Sequence, residues 1–322
     1  MKRQLFIYLC FFLLTGVVLA QPKQQVLDYL YSISGKQILA GQHNKEPNAE
    51  PTKWTDFIYE TTGKYPALWS GDFLFQQENI DNRWKMIKEA ERQWNNGALI
   101  NLMWHACPPD MGEPCGWDPG LLNEQLTDNQ WEALITPGTE LHKAWEERMD
   151  DIAVYLQYLE NKGVVVLFRP FHEMNQALFW WAGRKGPKGT AELYRQTREY
   201  FEKEKGLTNL IWVWDMQDLS RDFEAYNPGD DYWDVFAFDI YDSGYDQSWY
   251  DYILPIVGDK PMAIGECMKV PSKEVLESQD RWVFFMPWAE LVREHNSDSD
   301  IRAIYGHSRV LSLDELPGWG CQ

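Results

Sequence analysis

Eight short apolar runs recur along the chain, each ending in polar or aromatic residues. They occupy residues 36–43, 65–72, 97–105, 164–173, 210–215, 234–241, 261–266 and 282–288. The run Val164-Val-Val-Leu-Phe168 is apolar at every position. An uninterrupted run of that kind predicts a strand buried on both faces, as in a parallel sheet covered by helices. Between the runs the period changes. Residues 139–161 place Leu141, Trp145, Met149, Ile152, Leu156 and Leu159 at helical spacing, and Gly163 follows as a stop. Similar patterns predict helices over 79–95 and 190–204, with brief ones over 250–257 and 272–278. Trp54, Trp84, Trp94 and Trp145 fall within helical patterns and are expected in the core, whereas His142, between Leu141 and Lys143, is expected on a helix surface. Eight strands alternating with helices predict the α/β class and a single (β/α)8 TIM-type barrel, a fold that takes about 250 residues as one domain. A two-domain, doubly wound sheet has less support, because no Gly-rich phosphate loop follows a strand and no linker separates two halves.

A barrel collects its chemistry at the C-terminal ends of its strands. Here those ends carry His43, Asp72, His105, Glu173, Asp215, Asp239 with Tyr241, Glu266 and Trp288. A packed core needs none of these. Glu173 closes the fourth run and Glu266 the seventh, so their carboxyl groups can face each other across the mouth. Paired carboxylates are what glycoside hydrolysis requires: one protonated to release the leaving oxygen, the other ionised. A separation near ~5 Å implies retention of configuration, and ~6.5–9.5 Å implies inversion.

Composition narrows the partner. Aromatic residues make up 15% of the chain, with 17 Trp, and flat indole faces suit the apolar faces of sugar rings. Trp117, in the long loop over 106–137, is a candidate platform. The formal charge is −19, and two units more negative without Lys2 and Arg3. That argues against nucleic acid and is compatible with a neutral substrate. Residues 1–20 read as a signal peptide: Lys2 and Arg3, an apolar stretch from Leu5 to Leu14, then a small-residue cleavage site ending at Ala20. Residues 21–322 are then the catalytic barrel domain, exported to the periplasm or secreted. No later run is long and apolar enough to span a membrane. Cys107 and Cys115 are placed to close a small disulfide, and Cys267, in an apolar run, is expected as a buried free thiol.

The stretch Arg169-Pro-Phe-His-Glu-Met174 followed by Phe179-Trp-Trp181, with Gly265-Glu266 ending a later strand, resembles glycoside hydrolase family 26. Gly41-Gln-His43, Trp104-His105, the Asp239 and Tyr241 pair, and Trp288 extend the resemblance over essentially the whole chain. The resemblance implies a retaining (β/α)8 enzyme, most often an endo-β-1,4-mannanase, with no cofactor and no metal. Glu173 would be the acid/base and Glu266 the nucleophile. His105 would contact the sugar on the nonreducing side of the cleaved bond, and His172 would bind sugar or orient the acids. Tyr241 would hydrogen-bond Glu266, while Arg169, Asp239 and Trp288 would shape the central subsites. The chain departs from the family at Gln176 and Leu178, where Gly and Trp are usual. Trp180 or Trp181 would compensate as substrate contacts. The expected partner is a neutral β-linked polysaccharide or oligosaccharide, and the expected state is a monomer.

Other readings compete. β-1,3-Xylan or mixed-linkage glucan are minority substrates of that family. A metal-dependent hydrolase using His43, Asp72, His105 and His172 is disfavoured, since the six histidines form no His-x-His or i,i+4 pair. A non-catalytic polysaccharide-binding barrel has no need of two opposed acids.

Overall fold

The computed structural model describes residues 22–45, 47–123 and 125–319. Residues 1–20, where a signal peptide is expected, lie outside the described residues. Eight parallel strands close into a barrel: β1 (Ile38–His43), β2 (Leu68–Phe73), β3 (Leu99–Trp104), β4 (Val166–Pro170), β5 (Leu210–Gln217), β6 (Val235–Ile240), β7 (Met262–Cys267) and β8 (Trp282–Pro287). Each pairs with its sequence neighbour, and β1 pairs with both β2 and β8, which closes the ring. Nearly every strand residue is buried. This is why the strands read as apolar runs without alternation. Among the described residues no helix is long and apolar enough to cross a membrane.

Helices cover the barrel. In chain order they are α1 (Pro22–Ile33), α2 (Lys53–Thr62), α3 (Gln77–Asp81), α4 (Arg83–Asn95), α5 (Asp128–Leu134), α6 (Glu140–Asn161), α7 (Thr190–Glu199), α8 (Gln247–Val257), α9 (Lys273–Ser278), α10 (Leu291–Glu294) and α11 (Asp298–Tyr305). Local signals set several boundaries. Thr139 Oγ1 accepts the His142 N–H to start α6, and Gly163, at φ 71°, follows its end. Thr127 opens α5 with a capping box to Gln130.

Two expectations fail for reasons visible in the packing. The helix expected over 79–95 breaks at Asn82 into α3 and α4, and Trp84 lies on the flank of α4 against Tyr155 and Tyr158 of α6. Met86, Ile87, Ala90 and Trp94 face inward, while Trp84 is 46% exposed. His142 is buried rather than on the surface, because α5 folds against α6 and the Leu134 carbonyl bonds its Nδ1 at 2.8 Å. The helix expected over 190–204 is α7 continued by a π-helical turn, Tyr200–Glu204. One strand was not anticipated: β9 (Val310–Leu311) pairs with the start of β1.

The long loop between β3 and α6 is tied down. A disulfide joins Cys107 to Cys115, and Arg83 reaches from α4 to grip Glu113 through two hydrogen bonds of 2.8 and 2.7 Å. Cys267 is a buried free thiol.

Candidate active site

The C-terminal ends of β4, β5, β6 and β7 bring four carboxyl groups around one guanidinium. Arg169 ends β4 and is 1% exposed. Its Nη1 donates to Asp215 Oδ2 at 2.5 Å and to Asp239 Oδ1 and Oδ2 at 2.9 and 3.0 Å. Its Nη2 donates to Glu266 Oε1 and to the Met103 sulfur. Glu266 receives a second donor, the Tyr241 hydroxyl, at 2.6 Å. Both Glu266 oxygens therefore accept a hydrogen bond.

Glu173 is held differently. Past β4 the chain turns through Phe171 and Glu173, each at φ 53°. That left-handed geometry costs about 1–3 kcal/mol per non-glycine residue and persists only where the surroundings enforce it. Strand β5 supplies the enforcement. Asp215 Oδ1 accepts the Glu173 N–H at 2.8 Å, and the Asp215 carbonyl accepts from Met174 at 3.4 Å. Asn175 exchanges two bonds of 2.8 Å with the Gln217 backbone. The Glu173 carboxyl itself has no hydrogen-bond donor among the described residues. It is 6% exposed, and one of its oxygens lies within 4.8 Å of oxygens of Glu266 and Asp239.

These surroundings separate the two acids electrically. Burial, then the charges of Glu266 and Asp215, push the Glu173 carboxyl well above the usual range, against a smaller pull from Arg169. Asp239 is also pushed well up by burial, with Arg169 opposing and the neighbouring acids adding. Burial raises Asp215 too, opposed by Arg169 and the Glu173 N–H. Among the described residues Glu173, Asp239 and Glu266 are the one trio of acids placed to share a cation, and Arg169 already donates to two of them.

Local backbone aims Glu266. The pairing of β6 with β7 runs Phe238 to Ile264 and then Asp239 to Glu266, so Gly265 is an extra residue, a bulge. Bulges of this kind re-aim side chains beside sites. Glycine is required there: a Cβ would sit 2.5 Å from Asp239 Oδ1 and 2.8 Å from Asp215 Oδ2.

A histidine wall adjoins the acids. His105 Nδ1 bonds Asp72 Oδ2 at 2.7 Å, and His43 Nδ1 bonds the Ser70 hydroxyl at 2.7 Å. Burial pushes Asp72 up, but His105 and His43 together bring it well below its ordinary range. The His172 ring is 4.6 Å from His105. Burial, then His105 and Arg169, hold His172 well below its ordinary value, so it is neutral at neutral pH. Trp288 stacks on His43 at 4.4 Å.

Most of the residues expected from the sequence thus converge: Glu173, Glu266, Arg169, His172, His105, Asp239, Tyr241 and Trp288. Trp180 and Trp181 do not join them as sugar platforms. Both are fully buried. Trp180 Nε1 is spent on the Ala106 carbonyl and its ring packs on Trp145. Trp181 Nε1 is spent on the His172 carbonyl, and its face is covered by Phe179 at 4.6 Å. They are the wall behind His172. Leu178, 38% exposed, pairs its carbonyl with the N–H of Asn123 in the long loop. Asp218 is an addition. Its Oδ2 accepts the N–H groups of Tyr241 and Ser243 at 3.1 and 2.5 Å, which fixes the turn that carries Tyr241. Nothing in its sequence context distinguishes it from a loop acid.

Residues 19–315 match the model of glycosyl hydrolase family 26, and the chain belongs to that family. It is 32% identical over 306 residues to a mannan endo-1,4-beta-mannosidase of Thermothelomyces thermophilus, covering 91% of this chain and 61% of that protein. It is 28% identical over 312 residues to mannan endo-1,4-beta-mannosidase A of Piromyces sp, covering 92% and 49% respectively. The chain therefore spans less than two thirds of the length of either relative. Among solved structures, GH26A of Muricauda sp. superposes with a TM-score of 0.87 at 33% identity, covering 94% of this chain and 99% of that one. A beta-mannanase from a symbiotic protist of the termite Reticulitermes speratus, complexed with gluco-manno-oligosaccharide, superposes at 0.81 with 29% identity, covering 92% and 95%.

Proposed function

We propose that this member of glycosyl hydrolase family 26 is a retaining β-1,4-mannanase acting on mannan, glucomannan or galactomannan. The observation that carries the reading is the pair Glu173 and Glu266, with oxygens within 4.8 Å and opposite electrostatic settings. A gap of about 5 Å suits attack by one carboxylate and leaves too little room for a water placed for inversion. Glu266, bonded by Arg169 and Tyr241, attacks the anomeric carbon as a carboxylate. Glu173, protonated by its surroundings, gives its proton to the departing glycosidic oxygen. A glycosyl ester on Glu266 results. Water then enters on the same side, Glu173 takes its proton, and the Glu266–sugar bond breaks with net retention. His172 and His105 offer hydrogen-bonding edges to the sugar, and Trp288 offers a floor.

The names of the relatives support mannan as the substrate. A monomer acting outside the cytoplasm is part of the same proposal, and the Cys107–Cys115 bridge supports export. Size-exclusion mass and the N-terminus of the exported chain test that part.

Product profiles on mannan, glucomannan, galactomannan, xylan and lichenan test the substrate, and release from xylan or lichenan in place of mannan overturns it. Proton NMR of the first products tests the mechanism, with the β-anomer expected first. Glu266→Ala should be inactive and regain turnover with azide, yielding the α-mannosyl azide. Glu173→Ala should lose poor leaving groups far more than dinitrophenolate. Inverted products, or full activity in both variants, defeat the assignment.

A further inference from the structure

Tyr241 lies one residue past the end of β6, where the strand ladder no longer holds the backbone. Its hydroxyl nonetheless stands 2.6 Å from Glu266 Oε2. A side chain on a turn keeps such a contact only when the turn itself is fixed. Both ends of this turn are. At the far end Gly244 and Tyr245 follow one another at φ 59° and 70°. There the Tyr245 hydroxyl donates to the Lys269 carbonyl at 2.5 Å, and the Tyr245 carbonyl accepts from Gln279 Nε2 at 2.7 Å. At the near end the N–H groups of Tyr241 and Ser243 both donate to one atom, Asp218 Oδ2, at 3.1 and 2.5 Å.

Asp218 follows the last residue of β5 and is buried. Its own N–H donates to the Asp239 carbonyl at 3.2 Å, which seats it against the end of β6. Gln217, the residue before it, exchanges two bonds of 2.8 Å with Asn175, two residues beyond Glu173. The end of β5 therefore grips both the segment that carries Glu173 and the turn that carries Tyr241. A buried carboxylate is costly to keep. The second oxygen, Oδ1, is buried and accepts no hydrogen bond among the described residues. The hydrogen bonds that offset the cost thus come from the backbone of the Tyr241 turn, through Oδ2.

We propose that Asp218 is a positioning residue for the reaction: by fixing the backbone of residues 241–243 it holds the Tyr241 hydroxyl on Glu266 Oε2. Asp218 acts through the phenol and not on the sugar. The kinetic consequence rests on the reading of Glu266 as the nucleophile of a retaining mannanase; the geometric consequence does not.

Two measurements test it. The first needs no substrate. With tyrosine carrying carbon-13 at Cζ, and Tyr241→Phe assigning the resonance, the Tyr241 signal reports the hydrogen bond of its hydroxyl. Asp218→Ala should move that signal toward the position of a solvated tyrosine. Asp218→Asn, which keeps an acceptor oxygen for the two N–H groups, should leave it near wild type. The second measurement is kinetic. Hydrogen bonds to a charged group are worth about 10- to 100-fold. In Asp218→Ala, kcat on mannan should fall by about that factor, with KM changed by less than about twofold. On a Tyr241→Phe background the same substitution should cost less than about a further twofold, because the route through the phenol is already gone. Asp218→Asn should recover most of kcat. Asp218→Ser, too short to reach both N–H groups, should fall between the two and serves in place of an alanine variant that does not fold. An unmoved Tyr241 resonance in Asp218→Ala, or an equal fold-loss with and without the Tyr241 hydroxyl, overturns the proposal. If Glu266→Ala keeps wild-type turnover, it is the nucleophile reading that fails, and the Cζ shift alone then decides whether Asp218 places the phenol.

Discussion

The Glu266 charge is one cause of the raised Glu173 pKa, and Glu266→Gln isolates it. The facing oxygens of the two acids lie within 4.8 Å. At an effective dielectric of 20, unit charges at that distance interact by about 3.5 kcal/mol, or about 2.5 pKa units. Arg169 and Tyr241 draw the Glu266 charge toward themselves, so the field reaching Glu173 is smaller. The expected fall in the Glu173 pKa on Glu266→Gln is about one to two units. Burial is the larger cause of its elevation and survives the substitution, so Glu173 should still titrate above an ordinary glutamate. Carbon-13 NMR of side-chain carboxyl groups measures this directly, with Glu173→Gln assigning the resonance. A shift smaller than about 0.3 unit, or an upward one, would refute the electrostatic account. The number also has mechanistic meaning. In the proposed mechanism, forming the glycosyl ester removes the Glu266 charge just as the substitution does. On that proposal the drop in the Glu173 pKa turns a proton donor for the first step into a proton acceptor for the second.

Two further outcomes follow from the same cluster. Because folding raises the Glu173 pKa, the stability it contributes is complete below its unfolded value of about 4.3 and is lost as pH rises through the folded value. Glu173→Gln should therefore gain unfolding free energy over wild type between pH 4 and 7, and a urea-midpoint advantage that is equal or smaller at pH 7 contradicts this. Gly265→Ala would drive a methyl group against Asp239, Asp215 and Ala237 Cβ at 2.5, 2.8 and 2.9 Å. It should cost about 1–3 kcal/mol by urea denaturation and lower kcat by displacing Arg169, whereas wild-type stability and kcat would show that the bulge has slack.

The barrel was legible because its strands are buried on both faces. A run such as Val164 to Phe168 has nowhere polar to point, so the first polar residue marks the mouth. That logic located Glu173, Asp215, Asp239 and Glu266 without any knowledge of their partners. It failed where no period exists. Trp180 and Trp181 follow a turn, and adjacency alone does not say which indole faces the cleft; both turned inward, because their N–H groups are claimed by carbonyls of the surrounding loops. Trp84 misled because it sits on the flank of α4 and packs on Tyr155 and Tyr158 of α6 instead of entering the core. Phe171 and Glu173 adopt φ 53° without any glycine to signal it. Val310–Leu311 is too short a strand to show a pattern.

The division of labour between the acids follows from where the donors go. With all four carboxyl groups ionised around Arg169, the cluster would carry three surplus negative charges in a space nearly closed to water, an arrangement that desolvation forbids. Some carboxyls must keep protons. Glu266 has a guanidinium on one oxygen and a phenol on the other, so each of its oxygens already has a donor. Glu173 shares the same burial and the same neighbours, but the described residues clamp its backbone N–H and give its carboxyl no donor to stabilise charge. The proton therefore stays on Glu173. The proposed acid and the proposed nucleophile are the same functional group facing each other from the β4 and β7 sides of one barrel, and what distinguishes them is that Arg169 and Tyr241 donate to one of them.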